Sequence, residues 1–408
     1  MKVLVSAYAC EPNRGSEPGI GWKWVLELAR LPGYDVTVIT RSNNRQVIEN
    51  FWGSHGPFPH LHFRYYDLPN VAIWLKRHGL PVNIYYALWL YGSGFYAERL
   101  HRECHFDMAH HLTFGVFRDA PCLYRLGIPV VIGPVGGGEY APKQLMGVFP
   151  IGERIKEYVR LWLNHVALLN PLLRNAFDQA SLILAKTTET KNALQKDRWQ
   201  QKTIVSLETG VYQVAADKGE GTSGLFLFVG RFLAWKGIAI ALEAFHMYAS
   251  NHPHARLKLI GKGEGEHTIR AFIVKNKLEQ QVEVIPWMPQ AELMDYYQKA
   301  VALVFPSLHD SSGNVVLEAM AYGLPTICLD CGGPSTIMGN TLKPLIVSTQ
   351  GADRKQIAEG VCRCMQRLEN DKEFYRDMVE RSLSRARQFL WPDLVRRSYD
   401  LICKNLLS

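Results

Sequence analysis

The chain has 408 residues and a mass of 46.3 kDa, more than one core needs at roughly 150 residues per domain. With 47% hydrophobic and 21% charged residues, disordered, collagenous and disulfide-scaffold classes are excluded. The net charge of +8, spread without a Lys/Arg run, suits an anionic ligand or membrane surface and argues against nucleic acid as a partner.

From the N-terminus, short β-branched runs alternate with longer helical periods, the pattern of parallel sheets wrapped by helices. Residues 1–8 are too short in their apolar part for a signal peptide and read as a first strand; a cytoplasmic protein is expected. Strands are predicted at 3–7, 36–40, 63–66, 108–111, 130–133 and 182–185, with a glycine-rich connection at 15–22 leading into a helix at 23–31. The uncharged stretch 79–97 approaches membrane-spanning length but contains Pro81, Asn83, Gly92, Ser93 and Gly94, so it reads as a buried or membrane-surface aromatic helix. Tyr85, Tyr86, Trp89, Leu90, Tyr91 and Phe95 lie in it. A second such stretch sets Arg154, Lys156 and Arg160 among Ile155, Tyr158, Val159, Leu161 and Trp162, and peripheral contact with the inner face of a membrane is an expectation for both.

Residues 208–224, with Gly210, Gly219, Gly221 and Gly224, are too polar and glycine-rich for an element and read as a linker. It separates an N-terminal domain at 1–207 from a second at 225–390. Strands follow at 225–229, 257–260, 282–286, 302–305 and 325–329, with a helix at 315–322. Beyond Gly351 the chain is helical, and Pro392 in the turn 389–393 precedes a last amphipathic helix expected to leave its own domain and pack on the first. Two doubly wound domains facing each other would enclose a cleft at the carboxyl ends of their strands. The eight cysteines read as thiols: Cys328-x-x-Cys331 and Cys362-x-Cys364 lack partner pairs at zinc spacing, so no metal is expected.

Chemistry concentrates at two strand ends. In 305–334 a strand runs into Pro306-Ser307-Leu308-His309-Asp310-Ser311-Ser312-Gly313-Asn314 and then a helix stopped by Gly323-Leu324-Pro325, so backbone N–H groups and a helix N-terminus are offered to an anion. Asp310 precedes that helix, where it could simply complement the dipole, whereas Glu318 lies in the apolar run 315–320 and requires a polar partner. At 228–237, Gly230, Arg231, Lys236 and Gly237 follow a strand, a placement in which two cations can hold a phosphate group. No Asp-x-Asp occurs in the sequence.

Gly-Arg-x(4)-Lys-Gly at 230–237, then Phe-Pro-Ser, an acid, seven residues, Glu318 and Ala-Met-Ala-x-Gly-Leu-Pro, together resemble the retaining family 4 glycosyltransferases of GT-B fold (glycosyl transferases group 1). The likeness extends to Ile260-Gly261-Lys262-Gly263-Glu264 and to the tail 391–407. It implies two facing Rossmann-like doubly wound parallel-sheet domains (α/β class) and a hexosyltransferase moving a sugar from a UDP- or GDP-linked donor to a hydroxyl of a carbohydrate or lipid-linked acceptor, in polysaccharide or glycolipid assembly, without metal or cofactor. By the same resemblance Arg231 and Lys236 would bind the diphosphate and Glu318 the ribose. Asp310 stands where relatives carry Glu and would contact the transferred sugar. Gly19, Gly21, Gly230, Gly261, Ser312, Gly313, Asn314 and Val315 would approach the donor, and Trp287 would flank the base. His110 at a strand end would orient the sugar, with His111 as its rival, and His111, Gly136, Gly137 and Gly138 would lie on the acceptor side. A nucleotide-sugar epimerase of the same fold, or an inactive sugar-nucleotide-binding partner, are the alternatives.

Overall fold

A computed structural model of the chain describes every residue except Glu220, Trp287 and Ser408. It divides into two compact units. The first comprises residues 1–138, 162–209 and the chain from Trp391; the second comprises 139–161 and 210–390.

The first unit holds a seven-stranded parallel sheet: β1 (Lys2–Ser6), β2 (Asp35–Thr40), β3 (Leu61–Tyr65), β4 (Met108–His111), β5 (Val130–Val135), β6 (Leu182–Ala185) and β7 (Thr203–Val205), in the order β3-β2-β1-β4-β5-β6-β7. The second holds a six-stranded parallel sheet: β8 (Leu225–Val229), β9 (Arg256–Ile260), β10 (Val282–Ile285), β11 (Ala302–Phe305), β12 (Thr326–Leu329) and β13 (Ile346–Val347), in the order β10-β9-β8-β11-β12-β13. Central strands such as Leu182–Ala185 and Ala302–Phe305 are buried at every position, as expected of runs that helices cover on both faces. The strand order reverses beside β1 and β4 in one sheet and beside β8 and β11 in the other, so each unit has one switch point where ligands of open α/β sheets bind.

The unit boundaries differ from those expected. Residues 139–161 group with the second unit although composition placed them in the first. The segment 210–224 is packed rather than a free tether: Lys218 is buried, its amine donating to the Tyr297 carbonyl at 2.9 Å, and Thr222 N–H donates to Lys299 O at 2.6 Å. A glycine-rich polar segment that docks through its backbone has the same composition as a linker. Burial holds the Lys218 ammonium down to about 8.

In the first unit the terminal helix Trp391–Leu407 buries Trp391, Leu394, Val395, Tyr399 and Ile402. Tyr34 meets Tyr399 edge-on at 5.6 Å. Among the described residues no helix is long and apolar enough to cross a membrane.

Candidate functional site

In the second unit, β8 and β11 flank the switch point, and their trailing loops carry the residues singled out above. The β8 loop folds tightly because Gly230 and Gly261 (both φ +150°) let two turns touch: a Cβ on Gly261 would lie 1.9 Å from Gly230 O. At Gly237 (φ +74°) a Cβ would lie 1.8 Å from Pro306 O, so that glycine seats the β8 loop on the β11 loop. Trp235 O accepts from Leu308 N at 2.8 Å and from Ser307 Oγ at 3.2 Å.

These contacts bring Lys236 against Asp310 as a largely buried ion pair joining the two loops. The ammonium lies 4.4 Å from the Trp235 ring centroid, a cation–π contact. Asp310 Oδ1 also accepts from Ser312 N (3.2 Å) and Gly313 N (3.3 Å), closing a turn before helix Asn314–Ala321. Burial pushes the Asp310 carboxyl upward, but the Lys236 charge and these hydrogen bonds outweigh it and hold the group below its ordinary value. The turn rests on Gly332 and Gly333: Gly333 N donates to Asp310 O at 2.7 Å, and Cβ atoms there would lie 2.3 Å from Asp310 O and 2.5 Å from Ser311 O.

Gly313 (φ +63°) opens helix Asn314–Ala321, whose first bonded amide is that of Val316, leaving the Asn314 and Val315 N–H groups for an anion. Asn314 Oδ1 is buried without a hydrogen-bond partner. Glu318, half-buried one turn on, lies near two phenols: burial and then the Glu318 charge push Tyr297 and Tyr322 upward. The Arg231 side chain is exposed and makes no ion pair or hydrogen bond among the described residues. Trp287 lies outside the described residues. One edge of the second unit thus collects a free guanidinium, a paired ammonium, two carboxylates and open helix amides.

Sequence reasoning missed the cluster beneath this edge. The His309 ring stacks on Trp235 (4.8 Å, 22°) and on Phe149 (6.5 Å, 13°). Its Nε2 is 3.0 Å from Glu157 Oε1, off the alignment of a hydrogen bond. Arg160 pairs with Glu157 at 3.0 Å. Burial opposes the Glu157 charge, but His309 and Arg160 hold the carboxyl down at about 2. His309 and Trp235 adjoin Asp310 and Lys236 in sequence, which was the available signal; nothing local marks Glu157.

In the first unit several expectations are corrected. Gly19 and Gly21 lie within helix Ser16–Arg30, not in a loop. Their Cβ atoms would fall 1.9 Å from Arg14 O and 2.3 Å from Ala9 O, so these glycines let the chain after β1 fold onto the helix. Pro18 fits because first-turn amides have no helical partner. His110 is fully buried with both ring nitrogens engaged by the protein, Nδ1 with Tyr399 Oη and Nε2 with Gly133 O, each at 2.7 Å; neither remains for a sugar. His111 is also buried, between Tyr86 Oη (3.2 Å) and Ser6 Oγ (3.4 Å). Burial lowers the two imidazoles to about 4 and about 3.

Gly136, Gly137 and Gly138 are likewise tied down. Gly136 N donates to Gly115 O at 2.8 Å, Gly137 O accepts from Asn164 Nδ2 at 3.0 Å, and Gly138 N donates to Thr190 Oγ1 at 3.1 Å. A charged set that the sequence did not reveal lies at the carboxyl edge of this sheet. Lys186 pairs with Glu208 at 2.7 Å, both buried. Glu17 accepts from Gly115 N at 3.2 Å and is raised by burial against the pull of Lys186. Asp119 is pushed up to about 7, chiefly by burial.

Residues 215–385 match the family described as Glycosyl transferases group 1. A D-inositol 3-phosphate glycosyltransferase of Acidothermus cellulolyticus is 29% identical over 178 residues, 41% of this chain and 38% of that protein. The putative colanic acid biosynthesis glycosyltransferase WcaL of Escherichia coli is 24% identical over 251 residues, 56% and 61% of the two chains. The matched stretch spans about two fifths of the first curated relatives, 40% and 38% of their lengths. Solved structures align end to end: sucrose-phosphate synthase of Thermosynechococcus elongatus (18% identity, TM-score 0.64, 100% and 99% of the chains) and Anabaena Alr3699/HepE in complex with UDP and glucose (14%, 0.61, 99% and 99%). The fold is therefore that of the GT-B glycosyltransferases, two parallel-sheet α/β domains.

Proposed function

We propose, from the match of residues 215–385 to the family described as Glycosyl transferases group 1, that this protein transfers a sugar from a UDP- or GDP-linked donor to an acceptor hydroxyl with retention at the anomeric carbon. The observation that carries this is the Lys236–Asp310 pair joining the two switch-point loops of the second unit, with Arg231 unpaired on the same edge. Breaking the bond between the anomeric carbon and the phosphate oxygen places negative charge on the departing diphosphate. Lys236, held by Asp310, and the Asn314 and Val315 amides are placed before the reaction and can stabilise that charge with little reorganisation, and the exposed Arg231 guanidinium closes on the diphosphate as it binds. Lys236 then divides its charge between Asp310 and phosphate, and Asp310 is left to face the sugar. Glu318 takes the ribose hydroxyls. The acceptor oxygen bonds to the anomeric carbon from the face the diphosphate leaves, and its proton passes to a phosphate oxygen. The match to a putative colanic acid biosynthesis glycosyltransferase supports a role in polysaccharide assembly.

The test is turnover of a panel of UDP- and GDP-sugars, read as nucleoside diphosphate release that depends on acceptor, with EDTA present to exclude divalent ions. Arg231→Ala should lower kcat/KM by about 10²-fold or more and leave the thermal midpoint unchanged, because Arg231 is exposed and unpaired. Donors that neither bind nor turn over would defeat the reading.

A further inference from the structure

We propose that Arg41 and Lys76, at the carboxyl edge of the first unit's sheet, hold a phosphate group carried by the acceptor. This deepens the transferase reading and rests on it only in calling the ligand the acceptor.

The two cations meet at one ring. Tyr8 follows β1 and is buried, its ring packed edge-on against Tyr86, Trp89 and Phe114 at 4.8, 5.1 and 4.9 Å, which fixes its orientation. Arg41 is the first residue after β2. Its Nε donates to Tyr8 O at 3.2 Å, and its guanidinium carbon lies 4.3 Å from the Tyr8 ring centre. Lys76 comes from helix Asn70–Arg77, which follows β3. Its ammonium donates to Tyr8 Oη at 3.2 Å, and lies 5.7 Å from that ring centre and 4.3 Å from the Tyr85 ring centre. The segments trailing three adjacent strands, β1, β2 and β3, therefore set two positive charges together beyond the strand ends, where ligands of open α/β sheets sit.

The protein supplies these charges with no counter-ion. Arg41 and Lys76 are half-buried, and among the described residues neither pairs with a carboxylate. Asp67 follows β3, but its Oδ1 accepts from Tyr85 Oη at 2.7 Å and its Oδ2 from Ser42 N at 3.0 Å. From residue 68 to residue 97 the chain has no carboxylate at all. Two like charges held against one ring by a carbonyl, a hydroxyl and π faces repel each other, and an anion that meets both turns the repulsion into attraction. A phosphate monoester, with a charge of about −1.5 to −2 at neutral pH, matches the pair; a carboxylate would neutralise only one of them. The guanidinium would bind it through paired N–H groups and the ammonium as a point charge.

The test is calorimetric titration of the full chain with inorganic phosphate, in the Arg231→Ala background so that the guanidinium of the second unit adds nothing to the signal. No donor is present and no sugar moves, so the outcome is separate from that of the transferase assay. Binding is expected, and Arg41→Gln/Lys76→Gln should weaken it by about tenfold or more, the worth of a lost charge-assisted contact. Lys76→Gln alone, which gives up only a tie to a hydroxyl, should weaken binding with the thermal midpoint unchanged, and Lys76→Arg should retain it. Competition by n-octyl phosphate and by glucose 6-phosphate separates a lipid-borne phosphate from a soluble one, by whichever displaces inorganic phosphate at the lower concentration. The absence of phosphate binding, binding unaltered in the double variant, or equal displacement by chloride at the same ionic strength would overturn the proposal.

Discussion

Lys236 and Asp310 are each costly to bury alone, and the loops of the second unit bury them together. Lys236→Met should therefore cost about 3–5 kcal/mol at neutral pH, because an unpaired carboxylate remains. The sign with pH follows from the lowered Asp310 carboxyl. Its contribution is present above the unfolded carboxylate range and is lost as pH falls through the depressed folded value. Denaturant unfolding should thus show the gap between wild type and Lys236→Met narrowing on acidification, and Asp310→Asn added to Lys236→Met should restore much of the loss. At this scale the sequence singled out Lys236 and Asp310 because they follow strand ends, and Glu318 because a carboxylate inside an apolar helical run requires a polar partner. It did not disclose that His110 is saturated by Tyr399 and Gly133, or that Glu157 meets His309. Those partners are set by packing between segments distant in the chain.

Among elements, buried strands such as Leu182–Ala185 and Ala302–Phe305 were legible because a continuous apolar run between turn residues has few other uses in a doubly wound sheet. The edge strands Thr203–Val205 and Ile346–Val347 were not, being two or three residues long and defined by pairing alone. The start of helix Ser16–Arg30 was hidden by Gly15, Pro18, Gly19 and Gly21, which read as a loop although first-turn geometry accommodates them. The terminal helix is held partly by the Tyr399–His110 hydrogen bond. Tyr399→Phe leaves a buried ring nitrogen unpaired and should cost about 1–3 kcal/mol, measured by urea unfolding. His110 stays neutral to about 4 in the native chain, against about 6.5 when unfolded. The unfolded state takes up the proton first, so stability should decline as pH falls from about 6.5 towards 4. His110→Gln should flatten that decline.

For the whole molecule, a donor that binds only the folded chain raises its unfolding free energy by about 2.7 kcal/mol at a hundredfold excess over Kd. A thermal-shift screen of UDP- and GDP-sugars should therefore single out the donor, and Arg231→Ala should abolish the shift.

The chain passes from one unit to the other after residues 138, 161, 209 and 390. A chimera spliced once, at residue 209, would import a foreign 139–161 along with its new N-terminal half and strip His309 of Glu157. Grafting a different first unit onto this second unit therefore calls for a mosaic that keeps 139–161 native and exchanges the tail from Trp391 together with the N-terminal half.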